Sequence, residues 1–153
     1  MKKQNYLSNH FVDIIALILL LICISLHNYF PVLQIIYAPY TYFGILFILF
    51  GFTMTIFTNY LLIENKTTIN TFEIPTSLVT TKIFNISRNP IYLGMVLIFF
   101  GIVIFLGSII SFAPLIAFIF LLDRFVISSE EEKLVKIFAK DYIDYKKRVR
   151  RWI

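Results

Sequence analysis

Residues 85–94, "NISRNPIYLG", carry residue types that could hold an anion at a helix terminus. Pro90 fixes φ and lacks an N–H, which suits the first position of a helix, and it pushes Asn89 towards the N-cap conformation. The first turn would expose free backbone N–H groups at the positive end of the helix dipole, and Arg88 would add a fork of donors. A carboxylate or phosphate could bind there. The alternative is that Arg88 reaches lipid phosphates at the end of a membrane span.

A second group of reactive residues is the acidic run Glu130, Glu131 and Glu132. Ser128 and Ser129 each precede a glutamate by three residues, which predicts a capping box and a helix start. Apolar residues then recur at helical spacing, with lysines on the other faces. These apolar residues are Leu134, Phe138, Tyr142, Tyr145, Val149 and Trp152. The pattern alone indicates a helix resting on anionic lipid, whereas three acids in the first turn favour a small cationic partner, with the remaining helix as a lid.

The elements that must position these residues are membrane spans. The chain has 153 residues, of which 59% are hydrophobic and 15% charged, against about 25% charge in soluble domains. Four apolar stretches, roughly 11–26, 42–63, 91–110 and 111–127, approach the ~20 residues that cross a bilayer. Gly, Ser and Pro between the last two predict a tight hairpin. We expect an all-α polytopic membrane protein of about four transmembrane helices, the last two as a helical hairpin, plus an amphipathic cytoplasmic C-terminal helix.

Charge placement predicts the orientation of the chain. Lys2 and Lys3 precede the first span, and eight Lys or Arg residues lie between positions 133 and 151. The positive-inside rule places both termini in the cytoplasm. Asp13 interrupts the first apolar run, which argues against a cleaved signal peptide. The formal charge of +5 therefore fits a membrane surface better than nucleic acid, and the single cysteine, Cys23, excludes a disulfide framework or a Cys-based metal site.

Glycines predict how two of the spans pack. Gly44 and Gly51 are seven residues apart, as are Gly94 and Gly101. Each pair therefore lies on one helix face, where backbones can approach closely.

Two segments together resemble a known family. "SRNPIYLG", followed about forty residues later by "EEEKLVKIFAKDYIDYKKRVRRWI", is similar to the integral-membrane methyltransferases related to isoprenylcysteine carboxyl methyltransferase, which also resemble phospholipid methyltransferases. The resemblance covers about residue 75 to the C-terminus. The matching positions are Arg88, Asn89, Pro90, Tyr92, Gly94, Glu130, Glu131, Leu134, Phe138, Tyr142, Tyr145, Val149 and Arg151. Four positions depart from the family pattern. Asn89 replaces a frequent histidine, Lys82 and Ala139 replace glycines, and Val126 stands where some relatives carry an arginine.

The resemblance implies S-adenosylmethionine as the cofactor, bound on the cytoplasmic side, and no metal. It divides a single domain, 1–153, into N-terminal spans and a loop (1–74) and a cofactor-binding core (75–153). Arg88 would hold the cofactor's carboxylate, and the glutamates would face its cationic groups. The implied cofactor-binding residues are Leu78, Val79, Thr80, Arg88, Asn89, Pro90, Tyr92, Leu93, Gly94, Glu130 and Glu131. The implied catalytic residues are Glu131 and Arg124, the latter near the position where some relatives carry a substrate-orienting arginine.

The predicted reaction is methyl transfer to an amphipathic, lipid-like or prenylated acceptor in the membrane. Isoprenylcysteine-type carboxyl O-methylation is the leading prediction. Ethanolamine head-group N-methylation is the alternative, and it requires Glu130, Glu131 or Asp123 to accept a proton. A non-enzymatic scaffold that binds membrane lipid, or a relative that has lost activity, would explain the same spans. Membrane lipid is the expected macromolecular environment, without nucleic acid or metal as partner, and the sequence leaves the oligomeric state open.

Overall fold

A computed structural model describes residues 11–30, 33–68 and 75–153, and in these ranges the chain is helical. Five α-helices follow one another: α1 Phe11–Tyr29, α2 Phe43–Glu64, α3 Pro90–Leu106, α4 Phe112–Leu121 and α5 Ser128–Arg148. Short 3₁₀ turns at Tyr40–Tyr42, Lys82–Asn85 and Ile109–Ser111 lie between them, and a π-helical segment, Leu122–Ile127, joins α4 to α5. The predicted all-α class is confirmed.

Within the described ranges, three helical stretches are long and apolar enough to cross a membrane: Phe11–Tyr29, Tyr40–Glu64 and the continuous Ile109–Arg148. In the third, the apolar part is residues 109–127, and the charged α5 follows it. Helix α3 is equally apolar but has 17 residues, about 25 Å of helix, which is at the lower limit for a bilayer core. The chain is an integral membrane protein, and the fourth crossing stays a prediction.

Helices α2 and α3 pack backbone to backbone along the predicted glycine faces. A methyl group added to Gly51 would lie 2.6 Å from the carbonyl oxygen of Gly94. One added to Gly44 would collide with the carbonyl oxygen of Gly101. The predicted packing seam is confirmed, and the two glycine pairs face each other.

The predicted hairpin is formed by α3 and α4. Helix α3 ends at Gly107, whose φ of 71° is the left-handed conformation that favours glycine at a helix C-terminus. The chain then reverses, and the rings of Phe99 and Phe118 lie 5.5 Å apart across the two helices. Helix α1 packs mainly against α4, with Cys23 fully buried between them.

The predicted capping box at the start of α5 is wrong. Ile127 and Ser128 both have right-handed helical dihedral angles, so the helix runs through them without a break. An N-cap requires the chain to enter from non-helical backbone. The Ser128 hydroxyl instead donates to the carbonyl oxygen of Asp123 at 2.9 Å, five residues earlier in the π-helical segment.

The apolar stripe of α5 packs against other parts of the chain and not on an open surface. Helix α5 bends at Ala139, where φ is 42° and ψ is −114°. Beyond the bend, Tyr142 and Tyr145 are each 2% exposed and contact a cluster that includes Leu61 and Phe84. Helix α5 therefore covers the end of α2 and the loop before α3, as the lid alternative requires.

Candidate active site

A cavity of about 480 Å³ lies where the start of α1, the end of α2, the start of α3 and helix α5 meet. Sites for small molecules commonly measure about 300–1,000 Å³. Its polar wall includes Asp13, Thr55, Asn59, Arg88, Asn89, Tyr92, Glu130 and Lys133. Its apolar wall includes Val12, Leu62, Leu78, Val79, Phe84 and Met95. The two signature segments of the sequence therefore meet at one cavity.

Arg88 and Glu131 form a buried ion pair behind this cavity. Arg88 Nη2 lies 2.6 Å from Glu131 Oε1, and the two side chains are 6% and 4% exposed. Two more cations contact the same carboxylate, Arg151 at 2.9 Å and Lys146 at 3.0 Å. Burial by itself raises the pKa of Glu131, but the hydrogen bonds from Arg151, Arg88 and Lys146 outweigh it and lower the pKa to about 2. Glu131 is thus ionised at neutral pH, at the centre of a cationic cluster.

The remaining donors of Arg88 hold the end of the chain. Arg88 Nη1 donates to the carbonyl oxygen of Val149 at 2.6 Å and to that of Lys146 at 3.1 Å. The backbone N–H of Arg88 donates to the carbonyl oxygen of Arg150 at 3.1 Å. Within the ranges described, Arg88 Nε is a buried donor without a hydrogen-bond partner. Three of the five side-chain N–H groups of Arg88 are thus used inside the protein, and the Nε–H is one of the two that remain.

Asn89 occupies the predicted N-cap position of α3, but its side chain does not cap the helix. Its Nδ2 donates to the carbonyl oxygen of Arg151 at 3.0 Å, and its backbone N–H donates to Ser87 Oγ at 3.1 Å. The segment 87–89 therefore binds residues 149–151 and fixes the C-terminal segment against the start of α3. The first turn of α3 borders the cavity, because Asn89, Pro90, Ile91 and Tyr92 all line it.

Glu130 is the carboxylate of the acidic run that lines the cavity. The Tyr92 hydroxyl donates to Glu130 Oε1 at 2.7 Å. Lys133, one turn further along α5, lies on the same wall. A carboxylate held by a tyrosine on the wall of a partly closed cavity can stabilise a cation or accept a proton.

The structure brings together seven of the residues predicted for cofactor binding and separates the others from the cavity. Those on its wall are Leu78, Val79, Arg88, Asn89, Pro90, Tyr92 and Glu130. Thr80, Leu93, Gly94 and Glu131 are not among the described residues that line it. Gly94 lies in the glycine seam with α2. Arg124 is exposed on the π-helical segment, and Asp123 pairs with Arg151 at 3.0 Å and accepts a hydrogen bond from Trp152 at 3.0 Å.

The sequence reasoning missed the contribution of the first two helices to this cavity. Asp13 of α1, and Thr55, Asn59 and Leu62 of α2, lie on its wall. The residue types carried a signal, because an ionisable or amide side chain within an apolar span is costly and usually has a partner.

A comparison with family models identifies the relationship. The model of the phospholipid methyltransferase family matches residues 39–141, about two thirds of the chain. The chain belongs to this family. Neither the comparison with curated proteins nor that with solved structures finds a significant match.

Family membership confirms the resemblance predicted from the two signature segments. The match begins before α2 and ends inside α5, so that α1 and residues 142–153 lie outside it. Together with the apolar helices, it identifies an integral-membrane methyltransferase for lipid-like substrates.

Proposed function

We propose that this protein transfers a methyl group from S-adenosylmethionine to an amine carried by a membrane lipid, at the cavity between α1, α2, α3 and α5. The observation that carries the proposal is the Glu130 carboxylate on the cavity wall, fixed by Tyr92 at 2.7 Å. The positive-inside prediction would place this reaction at the cytoplasmic face.

The residues of the cavity fit S-adenosylmethionine. Its carboxylate needs hydrogen-bond donors, and the wall offers the N-terminal turn of α3 together with Arg88 Nε, which is buried and has no partner in the part of the chain described. Its sulfonium needs a nearby anion, and Glu130 supplies one. Its adenosine needs a largely apolar surface, which Leu78, Val79 and the tyrosines of α5 provide.

When bound, S-adenosylmethionine supplies a methyl group that is already activated by the positive sulfur. The protein therefore has to position the acceptor and exclude water, and these effects can account for a large part of a rate enhancement. Helix α5 is suited to the second task, because Tyr142 and Tyr145 are buried between it and the end of α2 while also lining the cavity.

Glu130 has the position required of a proton acceptor. An amine attacks only in its neutral form, so a base must take up its proton. We assign this role to Glu130 rather than to Glu131, because three cations bind the Glu131 carboxylate behind the cavity. Tyr92 would act as a positioning residue by holding the Glu130 carboxylate. Arg124, exposed and away from the cavity wall, has no part in this scheme.

The charges on the wall support an amine acceptor over the carboxylate acceptor that was the leading prediction. Two acids, Asp13 and Glu130, line the cavity against one lysine, Lys133, and the positive charge of Arg88 is already balanced by Glu131. A carboxylate acceptor would meet like charges, whereas an amine would meet opposite charges when it enters in its protonated form. The family match to phospholipid methyltransferases agrees with this choice.

The test uses the purified full chain in lipid nanodiscs. Calorimetry with S-adenosylhomocysteine should show saturable binding. Methyl-labelled S-adenosylmethionine should convert phosphatidylethanolamine into labelled N-methylated phospholipid and should give no labelled farnesylcysteine methyl ester. Labelled ester without labelled phospholipid would overturn the amine assignment. Absence of S-adenosylhomocysteine binding would overturn the proposed function and favour the scaffold alternative.

A further inference from the structure

We infer that Asp13 of α1 and Asn59 of α2 form the subsite for the acceptor's head group and favour amines that still carry an N–H. This inference rests on the proposed function and deepens it. Neither residue belongs to the two signature segments, and Asp13 also lies outside the family match at residues 39–141.

The two residues lie on different helices, α1 and α2, that both pack against α3. Helix α2 packs against α3 along the glycine seam, and α1 packs against α4 and α3. Asp13 and Asn59 line the same cavity, as do Tyr92 and Met95 of α3. They therefore border the part of the cavity between two apolar helices, where a lipid head group would arrive with its chains in the bilayer.

Asn59 carries the observation that points to a ligand. Its Oδ1 is fully buried and has no hydrogen-bond partner among the residues described. Its neighbour one turn earlier, Thr55, already donates its hydroxyl hydrogen to the carbonyl oxygen of Gly51 at 2.9 Å and so offers Asn59 no donor. A buried carbonyl oxygen is normally paired, and in this inference an N–H on the ligand supplies the partner.

Asp13 supplies the charge that complements this acceptor atom. It lies in the first turn of α1, where the helix dipole stabilises a carboxylate. A protonated amine would meet the negative charge of Asp13 and donate an N–H to Asn59 Oδ1. Asp13 thus attracts the cationic head group electrostatically, and Asn59 orients it through a directional hydrogen bond.

The requirement for an N–H changes during successive methylation. In each transfer the amine nitrogen forms a bond to the methyl carbon, the bond from sulfur to that carbon breaks, and one N–H proton passes to Glu130. Each round therefore removes one N–H from the head group. A quaternary product has none left for Asn59, so this subsite binds it more weakly than the primary amine and favours its release.

The experiment compares acceptors in Asn59→Leu, with Asn28→Leu on the exposed end of α1 as the matched control. Asn59→Leu should raise the KM for phosphatidylethanolamine about tenfold, the scale of one lost hydrogen bond to a charged group. Inhibition by phosphatidylcholine, which has no N–H, should change less than twofold, and so should the Kd of S-adenosylhomocysteine. Asn59→Asp, which keeps an acceptor oxygen, should restore the low KM.

Asp13→Asn tests the charge, with Asp141→Asn on the exposed face of α5 as its control. Of these two variants, only Asp13→Asn should weaken the binding of both amine and choline lipids, because both kinds of head group are cationic.

An unchanged KM for phosphatidylethanolamine in Asn59→Leu would overturn the subsite while leaving the proposed function intact. A parallel loss of S-adenosylhomocysteine affinity in Asn59→Leu and Asn59→Asp would also overturn it, because Asn59 would then shape the cofactor site. A wild-type protein that does not bind S-adenosylhomocysteine would overturn the proposed function itself, and the subsite with it.

Discussion

Arg88 at the start of α3 and Glu131 in α5 hold each other through a 2.6 Å ion pair whose two side chains are almost completely buried. The pair joins two segments 43 residues apart and orients the wall of the cavity. Arg88 and Glu131 bind each other and do not lie at opposite ends of the cavity. The neighbouring Glu130, not Glu131, presents its carboxylate to the cavity. This relationship separates the residues that build the site from those that react in it.

Glu131→Gln should destabilise the protein by about 3–5 kcal/mol, because it leaves Arg88 buried without its counter-ion. Thermal unfolding in detergent measures this. Glu132→Gln, which changes an exposed side chain next in sequence, should shift stability by less than about 0.5 kcal/mol. Similar melting temperatures for the two variants would show that the buried pair contributes nothing.

Acid should weaken the fold through the same carboxylate. The pKa of Glu131 is lowered from 4.5 to about 2 in the folded protein, so its contribution, about 3 kcal/mol, is complete above pH 4.5 and is lost as the pH falls from 4.5 towards 2. Unfolding midpoints between pH 6 and pH 3 should fall in the wild type and much less in Glu131→Gln. Parallel curves for the two proteins would contradict this assignment.

Two glycine substitutions should stabilise the chain. Lys82 and Ala139, the positions where the family resemblance predicts glycine, have φ values of 57° and 42°, which cost non-glycine residues about 1–2 kcal/mol. Lys82→Gly and Ala139→Gly should each raise stability by about 1 kcal/mol. The exposed ion pair that Lys82 makes with Glu64 should offset little of this. Lys136→Gly, at an exposed position in the helix before the bend, should instead destabilise by about 1 kcal/mol. The same sign in all three variants would be inconsistent with these backbone conformations.

Gly94→Ala distinguishes packing from cofactor binding at a residue for which the sequence predicts both. An added methyl group would press on Thr55 Oγ1 and lie 2.9 Å from the carbonyl oxygen of Gly51, so we expect destabilisation by about 1–3 kcal/mol. Gly101→Ala, which lies further from the cavity in the same seam, should destabilise the protein by a similar amount. A Gly94→Ala protein that unfolds like the wild type but binds S-adenosylhomocysteine more weakly would place Gly94 in the cofactor site instead.

Much of this architecture can be predicted because its signals are local or periodic. Apolar runs locate the spans, the spacing of Gly44, Gly51, Gly94 and Gly101 locates the α2 and α3 seam, and Gly107 marks the hairpin turn. The resemblance predicts glycine at positions 82 and 139, and this prediction indicated unusual backbone there, since Lys82 and Ala139 both have a positive φ in the structure.

The rest depends on tertiary contacts that no local pattern encodes. The carbonyl oxygens that bind Arg88 belong to residues 146–150, and their position depends on the bend at Ala139. The capping-box pattern at Ser128 failed because the preceding π-helical segment already continues into α5. Asp13 and Asn59 come from separate spans, so only the packed helices bring them to one cavity.

The most direct measurement is the rate of methyl transfer to phosphatidylethanolamine by Glu130→Gln beside its neighbour Glu132→Gln, each in nanodiscs with labelled S-adenosylmethionine. Loss of a positioned base lowers a rate by about 10²–10⁴-fold. We expect a loss of that size in Glu130→Gln, with S-adenosylhomocysteine binding retained because that molecule lacks the sulfonium charge, and a rate within twofold of wild type in Glu132→Gln. Equal rates in the two variants would contradict the assignment of Glu130 and of this cavity as the site of the reaction.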